Sequence, residues 1–218
     1  MSQTDKNDPT RERLLDEAEI LFAQKGFHAV SIREITSVAQ CNLAAVNYHF
    51  GNKENLYLEI FRSRVVPRAQ RLRQTFEKHL AAESELSPST VIYALAQAFL
   101  LGPLSDKERL RHYQLMMREI SEPTGAFEIV EQAIRPLFDT LHGHFASFMP
   151  TPLKDKNISL MILSVIAQVL YFNSARQMVK RITGSEYDVQ FKNELINHIV
   201  AFSLKGLSLY QGEKDGDA

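Results

Sequence analysis

The sequence predicts an all-α protein, with a small N-terminal three-helix bundle followed by a larger C-terminal helical domain. Apolar residues recur at i, i+3, i+4 and i+7 along most of the chain, and no stretch alternates as a half-buried strand would. The interruptions are rich in Gly, Pro, Ser and Asp, at spacings that leave helix-length runs between them. The polar stretch AAESELSPST (81–90) is the first clear linker. With 218 residues, 44% apolar and 23% charged, the chain has the composition of a globular protein that can bury a core.

Residues 10–25 place Leu14, Leu15, Ala18, Leu21 and Phe22 on one stripe, and Gly26 supplies the stop. Ser31 and Glu34 have the spacing of a capping box, starting a second helix with Ile35, Val38 and Ala39 inward. Gln40-Cys41 is the turn, and Asn42 is a good N-cap for a third helix ending near Phe50. Gly51-Asn52 opens a fourth, with Leu56, Ile60 and Phe61 inward. Pro67 should kink or end it, because its ring removes a donor and collides with the preceding turn. Further helices are expected near 89–102, 105–120, 126–148, 155–182 and 188–210. Their breaks are Gly102-Pro103, SEPTG (121–125), PTPLKD (150–155) and TGSEY (183–187). The polar tails, before about Asp8 and after Gln211, are expected to be disordered. Arg62, Arg64, Arg68, Arg71, Arg73 and Lys78, opposed by Glu77 alone, read as a solvated helix face, with phosphate contact as the alternative.

The third helix poses a puzzle, because Asn47, Tyr48 and His49 stand in a row beside the small Ala44 and Ala45. A core helix would carry bulk there and a solvated one charge. Two short helices joined by a tight turn and preceded by a stabilising helix make a helix-turn-helix, whose second helix enters the major groove of DNA. On that reading Val46 and Phe50 point inward onto Phe22, Phe27 and Ile35, while Leu43, Ala44, Asn47 and Tyr48 face out. Small residues let the backbone approach the duplex, Asn47 reads adenine, and Tyr48 and His49 hydrogen-bond phosphates. The plain alternative is a short surface helix with Tyr48 packed sideways and Asn47 solvated.

Residues 11–61 resemble the N-terminal domain of the TetR family of bacterial transcriptional regulators. The pattern F-x-x-K-G-F that closes the family's first helix occurs as Phe22 to Phe27, and its second-helix start as Ser31-Ile32-Arg33-Glu34-Ile35. The closing pattern, shifted in its aromatics, runs from Asn47 through His49-Phe50 to Lys53-Glu54 and Leu56. The resemblance implies phosphate contacts at Ser31, Arg33, Tyr48, His49 and Lys53, and base-facing positions at Leu43, Ala44, Ala45 and Asn47; the N-cap Asn42 joins this DNA-binding set. Two departures stand out. Gln40 replaces the usual turn glycine, so a less sharply bent backbone is expected, and Asn47 replaces the first aromatic of the recognition helix.

The resemblance continues. YQLMMREISEPTGAFEIVEQAIRPLFDTLHGHF (113–145), with its R-E-x-x-E-P turn and I-R-P-x-F helix, is similar to the C-terminal domain of the CecR-like subgroup, as is 191–207. It implies a DNA-binding domain at 9–55 and a helical ligand-binding and dimerisation domain at 56–212. The implied partners are double-stranded operator DNA and a small-molecule effector. Periodicity agrees on dimerisation: residues 158–172 (ISLMILSVIAQVLYF) are apolar all round, so both faces need burying, one of them on a second copy. The homodimer is expected through the helices near 155–182 and 188–210. Tyr113, Met117, Arg118, Gln168, Tyr171 and Asn173 are candidate ligand contacts amid apolar helices. The alternatives are plain core for Met117 and an ion pair of Arg118 with Glu119 or Glu122.

Other function classes find little support. The net charge of −1, and six Lys or Arg against seven Asp or Glu in residues 1–53, give no basic patch, so DNA binding rests on local geometry. The near-neutral head keeps a rival reading open, a ligand-binding or interaction protein whose helix-turn-helix no longer binds DNA. The single Cys41 permits no internal disulfide and fits the cytoplasm. His142 and His144, two apart on a helix, point to different faces, so no metal site is expected. No catalytic motif or cofactor loop occurs, so no catalytic residues or cofactors are expected and an enzyme is a distant third reading. Leu160 to Phe172 is too short for a membrane span, and no membrane partner is expected.

Overall fold

A computed structural model describes residues 8–149 and 154–212; the expected disordered tails and most of the 150–155 break lie outside them. The elements are α1 (Pro9–Lys25), α2 (Ile32–Val38), α3 (Leu43–Phe50), α4 (Lys53–Ile60), a π-helical turn (Phe61–Val65) and α5 (Val66–Ala81). Then come α6 (Pro88–Leu100), α7 (Asp106–Ser121), α8 (Phe127–Ser147), α9 (Asp155–Ser174), α10 (Arg176–Thr183) and α11 (Val189–Gly212). No strand occurs among the described residues.

The chain divides into two compact units. The first holds the residues up to Ala69 together with Ser105–Ala133, and the second holds Gln70–Leu104 and the chain from Ile134. In the first, the α1 stripe Leu14, Leu15, Ala18, Leu21 and Phe22 is buried as expected, against Ile35, Val46, Leu56, Ile60, Phe61 and Leu115. In the second, Val91, Ile92 and Leu95 of α6 pack with Ile158, Ile162 and Val165 of α9 and Leu195, Ile196 and Ile199 of α11.

Four expectations are corrected. Val38 is 49% exposed rather than inward. The two turns of α2 bury the arc Ile35, Thr36 and Ala39 instead, with the Thr36 hydroxyl donating to the Arg33 carbonyl at 3.2 Å. The fourth α-helix ends well before Pro67, where the widened π turn carries the Val66 N–H back five residues to the Phe61 carbonyl. The expected single helix 155–182 is two, broken at Ala175 (φ −88°, ψ 26°), where Arg176 donates to the Asn173 carbonyl and to its side-chain oxygen, both at 3.0 Å. Finally, α9 exceeds its apolar run and reaches 20 residues, so by length and composition it is long and apolar enough to cross a bilayer. Its buried stripe is Ile158, Met161, Ile162, Val165 and Val169, while Leu160, Leu163 and Tyr171 stand exposed on the other side.

The basic run is not a uniformly solvated face either. Arg64 donates to Glu12 at 2.6 Å and to Asp16 at 3.1 Å, and buried Arg68 is paired with Glu19, itself buried. Arg111 of α7 reaches the same Glu19 carboxylate at 3.3 Å. A carboxylate so placed would be costly alone and is held by two guanidinium groups.

Candidate nucleic-acid interface

Helix α3 is anchored at both ends, at the first by the Asn42 cap expected there and at the second by Gly51, which the sequence assigns instead to the start of α4. Asn42 Oδ1 accepts the Ala45 N–H at 2.9 Å, satisfying one of the donors that a helix start leaves open. At the other end the Gly51 N–H reaches the Val46 and Asn47 carbonyls, at a φ of +82° that suits glycine. Buried Val46 and Phe50 fix which way α3 faces. Leu43, Ala44, Asn47 and Tyr48 are then exposed, Tyr48 to 77%, and Ala45 is half-buried.

The turn before α3 corrects the expectation for Gln40. Gln40 adopts φ +51°, the left-handed conformation a glycine would take there. Its N–H donates to the Ser37 carbonyl at 3.3 Å and the Cys41 N–H to the Thr36 carbonyl at 3.0 Å. These are the two bonds of a Schellman motif, so the bend is as sharp as with glycine and is held by the same carbonyls. Cys41 is half-buried, and burial raises its thiol pKa, with the charge of Arg13 working weakly the other way.

Of the expected phosphate contacts, Ser31 and Arg33 are exposed at the start of α2. Ser31 Oγ accepts the Glu34 N–H at 3.1 Å, but the Glu34 carboxylate turns to Lys25 Nζ at 2.5 Å, so only half of the capping box forms. That lysine lowers the Glu34 pKa. Lys53 is half-buried with its Nζ 4.4 Å from the centre of the Phe27 ring, a cation–π contact that fixes the stem near the start of α4. His49 differs most from the outward Asn47 and Tyr48. Its side chain is only 6% exposed and its Nε2 lies 3.6 Å from Asp8 Oδ2, while Asp8 Oδ1 caps α1 by accepting the Thr10 N–H at 2.7 Å. That backbone bond is the main cause of Asp8's lowered pKa; partial burial opposes it and the His49 charge assists.

The candidate ligand contacts are dispersed over other tasks. Tyr113 and Met117 are half-buried on α7. Arg118 makes no ion pair with Glu119 or Glu122; it donates to the Ala23 and Gln24 carbonyls at 3.1 and 2.7 Å, closing the C-terminal end of α1. On α9, Gln168 donates to Ser203 Oγ at 3.1 Å, Tyr171 stands exposed on the apolar stripe, and buried Asn173 is engaged by Arg176. Gln168 also lines a shallow groove of about 160 Å³ with Leu160, Ser164, Phe202 and Gly206. His142 lies 3.8 Å from Asp155 while His144 stacks on Phe148, so the two imidazoles do not converge. Sequence reasoning misses one buried polar pair, the Tyr57 hydroxyl donating to the Glu119 carboxylate at 2.6 Å. The available signal was Glu119's position four residues after the buried Leu115, which puts a charge on an inward stripe.

Residues 14–60 match the model of the bacterial regulatory proteins of the tetR family, and residues 88–207, more than half of the chain, match the C-terminal domain of the HTH-type transcriptional dual regulator CecR. The chain is a TetR-family transcriptional regulator of the CecR type. The CecR of Shigella flexneri is 28% identical to it over 95% of this chain and 96% of the relative. The probable regulator YttP of Bacillus subtilis is 40% identical over 47 residues, which cover 22% of this chain and 23% of that one. Among solved folds, a TetR-family regulator from Bordetella parapertussis superposes with a TM-score of 0.66 at 17% identity, covering 90% of this chain and 95% of its own. The regulator AibR, solved with isovaleryl coenzyme A and operator DNA, superposes at 0.63 with 15% identity, covering 88% and 97%. For this TetR-family chain both the N-terminal and the subgroup resemblance read from the sequence hold.

Proposed function

We propose that this regulator binds a palindromic operator as a homodimer and represses until a small, largely apolar effector releases it. The DNA-reading residues lie within 9–55, and effector binding and dimerisation within 56–212. The observation that carries the reading is the outer face of α3, where Leu43, Ala44, Asn47 and Tyr48 are exposed on a helix whose rotation is fixed by buried Val46 and Phe50. Asn47 is assigned to a base edge, and Ser31, Arg33, Tyr48 and Lys53 to phosphates. His49 supports α3 from behind until its imidazole leaves Asp8.

Dimerisation is supported by the exposed apolar residues Leu160, Leu163 and Tyr171 of α9 and Phe202 of α11, the last 64% exposed. A second copy of the same two helices covers them as a four-helix interface, a better cover than a bilayer for a helix interrupted by Ser164 and Gln168. Two heads related by a two-fold axis suit half-sites about 34–36 Å apart. The effector is assigned to the half-buried Tyr113 and Met117 of α7, and the chain is given no catalytic role. Release needs the effector to favour a non-binding conformation, and a tenfold preference supplies about 1.4 kcal/mol.

The test is a mobility-shift titration on duplex DNA from upstream of the protein's own gene, at several salt concentrations. Retention should weaken steeply with salt, because the cations displace counterions from the backbone. Asn47→Ala should cost about 1–3 kcal/mol and relax preference at one base pair, while Lys53→Ala weakens all sequences alike. Absence of retention on any duplex selected from a random pool would leave the interaction-protein reading in its place.

A further inference from the structure

Tyr48 and His49 are neighbours on α3 with opposite exposures. The Tyr48 side chain stands in solvent, while that of His49 is only 6% exposed. The His49 imidazole turns to the residue just before α1, with Nε2 3.6 Å from Asp8 Oδ2. That separation is beyond a hydrogen bond, so the two groups attract by charge and the contact is loose. Asp8 itself is held more firmly. Its Oδ1 accepts the Thr10 N–H at 2.7 Å as the N-cap of α1, and that bond lowers its pKa, so the carboxylate keeps its negative charge. Arg11, in the first turn of α1, lays its guanidinium 5.4 Å from the centre of the Phe50 ring and donates to Glu59 at 2.5 Å and to Glu12 at 3.2 Å. The start of α1 therefore meets two consecutive residues at the end of α3, His49 through Asp8 and Phe50 through Arg11.

An acid in this place works against binding a polyanion. A phosphate drawn to His49 must come within reach of a carboxylate of the same sign, and one imidazole cannot neutralise both. We propose that the Asp8 carboxylate is an autoinhibitory stand-in for a DNA phosphate: it holds the His49 imidazole off the duplex, and binding exchanges one anion for the other. The inference rests on the DNA-binding reading above and deepens it, since Asp8 then sets how readily the head engages any duplex. Phosphates are the same in every sequence, so this brake acts on all duplexes alike and leaves base preference to the outer face of α3. The geometry suits an exchange. The loose contact to His49 breaks easily, while the Thr10 bond keeps Asp8 in place to take the imidazole back when DNA leaves.

The experiment is a double-mutant cycle on duplex affinity with the full chain, at one fixed pH and salt concentration. Two duplexes are used, one that the wild type selects from a random pool and a scrambled one of the same length. Asp8→Ser removes the charge and keeps an oxygen that caps α1. It should tighten binding to both duplexes by roughly three- to fivefold, the scale of an exposed charge pair. Asp8→Asn, a second uncharged cap, should give the same gain, so a change in capping cannot pass for the effect. His49→Gln keeps a polar end without the charge, and in that background Asp8→Ser should change affinity by less than about 1.5-fold. Should His49→Gln fail to fold, His49→Met supplies the background. An equal gain with and without His49 would mean that Asp8 repels the duplex as any nearby acid does, and would overturn the proposal. Unchanged or weaker binding by Asp8→Ser would overturn it too, while leaving the DNA reading intact. A wild type that selects no duplex overturns the DNA reading, and this proposal with it.

Discussion

Both compact units have an apolar core, and they differ in what else they bury. Among the described residues every buried charged side chain lies in the first unit: Arg11, Glu19, Arg68, Arg109 and Glu119. The second buries only the neutral polar residues Asn173 and Ser203, and its core is a continuous aliphatic and aromatic cluster. Buried ion pairs add little net stability, since desolvation offsets their attraction, but they tolerate few alternative geometries. Apolar packing stabilises more and specifies orientation less. A unit that must present one helix face at a fixed angle gains from the first kind of contact. A unit whose helices leave an apolar face exposed, as α9 does at Leu160 and Leu163, gains from the second.

The largest expected effect tests the polar half of this contrast. Glu19→Ala leaves the Arg68 guanidinium buried with its main partner gone and frees Arg111. Breaking a buried pair on one side should destabilise by about 3–5 kcal/mol, read as a fall in the urea midpoint. The first unit should melt ahead of the second, giving a transition that depends on the probe. A single unshifted transition would mean that Glu19 contributes no more than an exposed carboxylate does.

The apolar half is tested at Phe202, exposed on α11 beside the shallow groove of Leu160, Ser164 and Gly206. Under the proposed dimer, Phe202→Glu buries an unpaired charge twice over, once per protomer. Self-association measured by sedimentation should weaken by ~100-fold or more, about 2.8 kcal/mol, while the monomer's melting is unchanged. Unaltered association would place the two-fold contact elsewhere and leave the stripe of α9 unexplained.

The second unit was the more legible in the sequence, because apolar periodicity reports burial and burial is what forms it. That α9 is apolar on every side follows from the sequence, but which of its faces the unit buries, the stripe of Ile158, Ile162 and Val165, does not. The break at Ala175 did not, since it depends on Arg176 satisfying carbonyls that pattern cannot see. In the first unit, spacing located α1, α3 and their caps, because Asn42 and Gly26 act locally. What it missed were pairs distant in sequence, such as Glu19 with Arg68, Tyr57 with Glu119, and Arg118 with the end of α1. A charged residue has the same letter whether it is solvated or buried, so the basic run of 62–78 reads as a solvated face or a phosphate contact and not as the buried pair that Arg68 makes. His49 reads as a phosphate contact both from its place on the third helix and from the resemblance, and its turn toward Asp8 depends on where α1 begins in space.

The smallest effect concerns the turn that sets the pitch between α2 and α3. Gln40 already holds the left-handed conformation of a Schellman turn, at a cost of roughly 1–2 kcal/mol for a residue with a Cβ. Gln40→Gly removes that cost and restores about 0.5–1 kcal/mol of unfolded-state entropy, so a net gain of about 0.5–1 kcal/mol is expected in the urea midpoint. Operator affinity should stay within about twofold, because the Ser37 and Thr36 carbonyls that fix the bend are untouched. If glycine instead weakened DNA binding with stability raised, the Gln40 side chain would itself be contacting the duplex. The head would then owe part of its reading angle to that residue and not only to its buried polar frame.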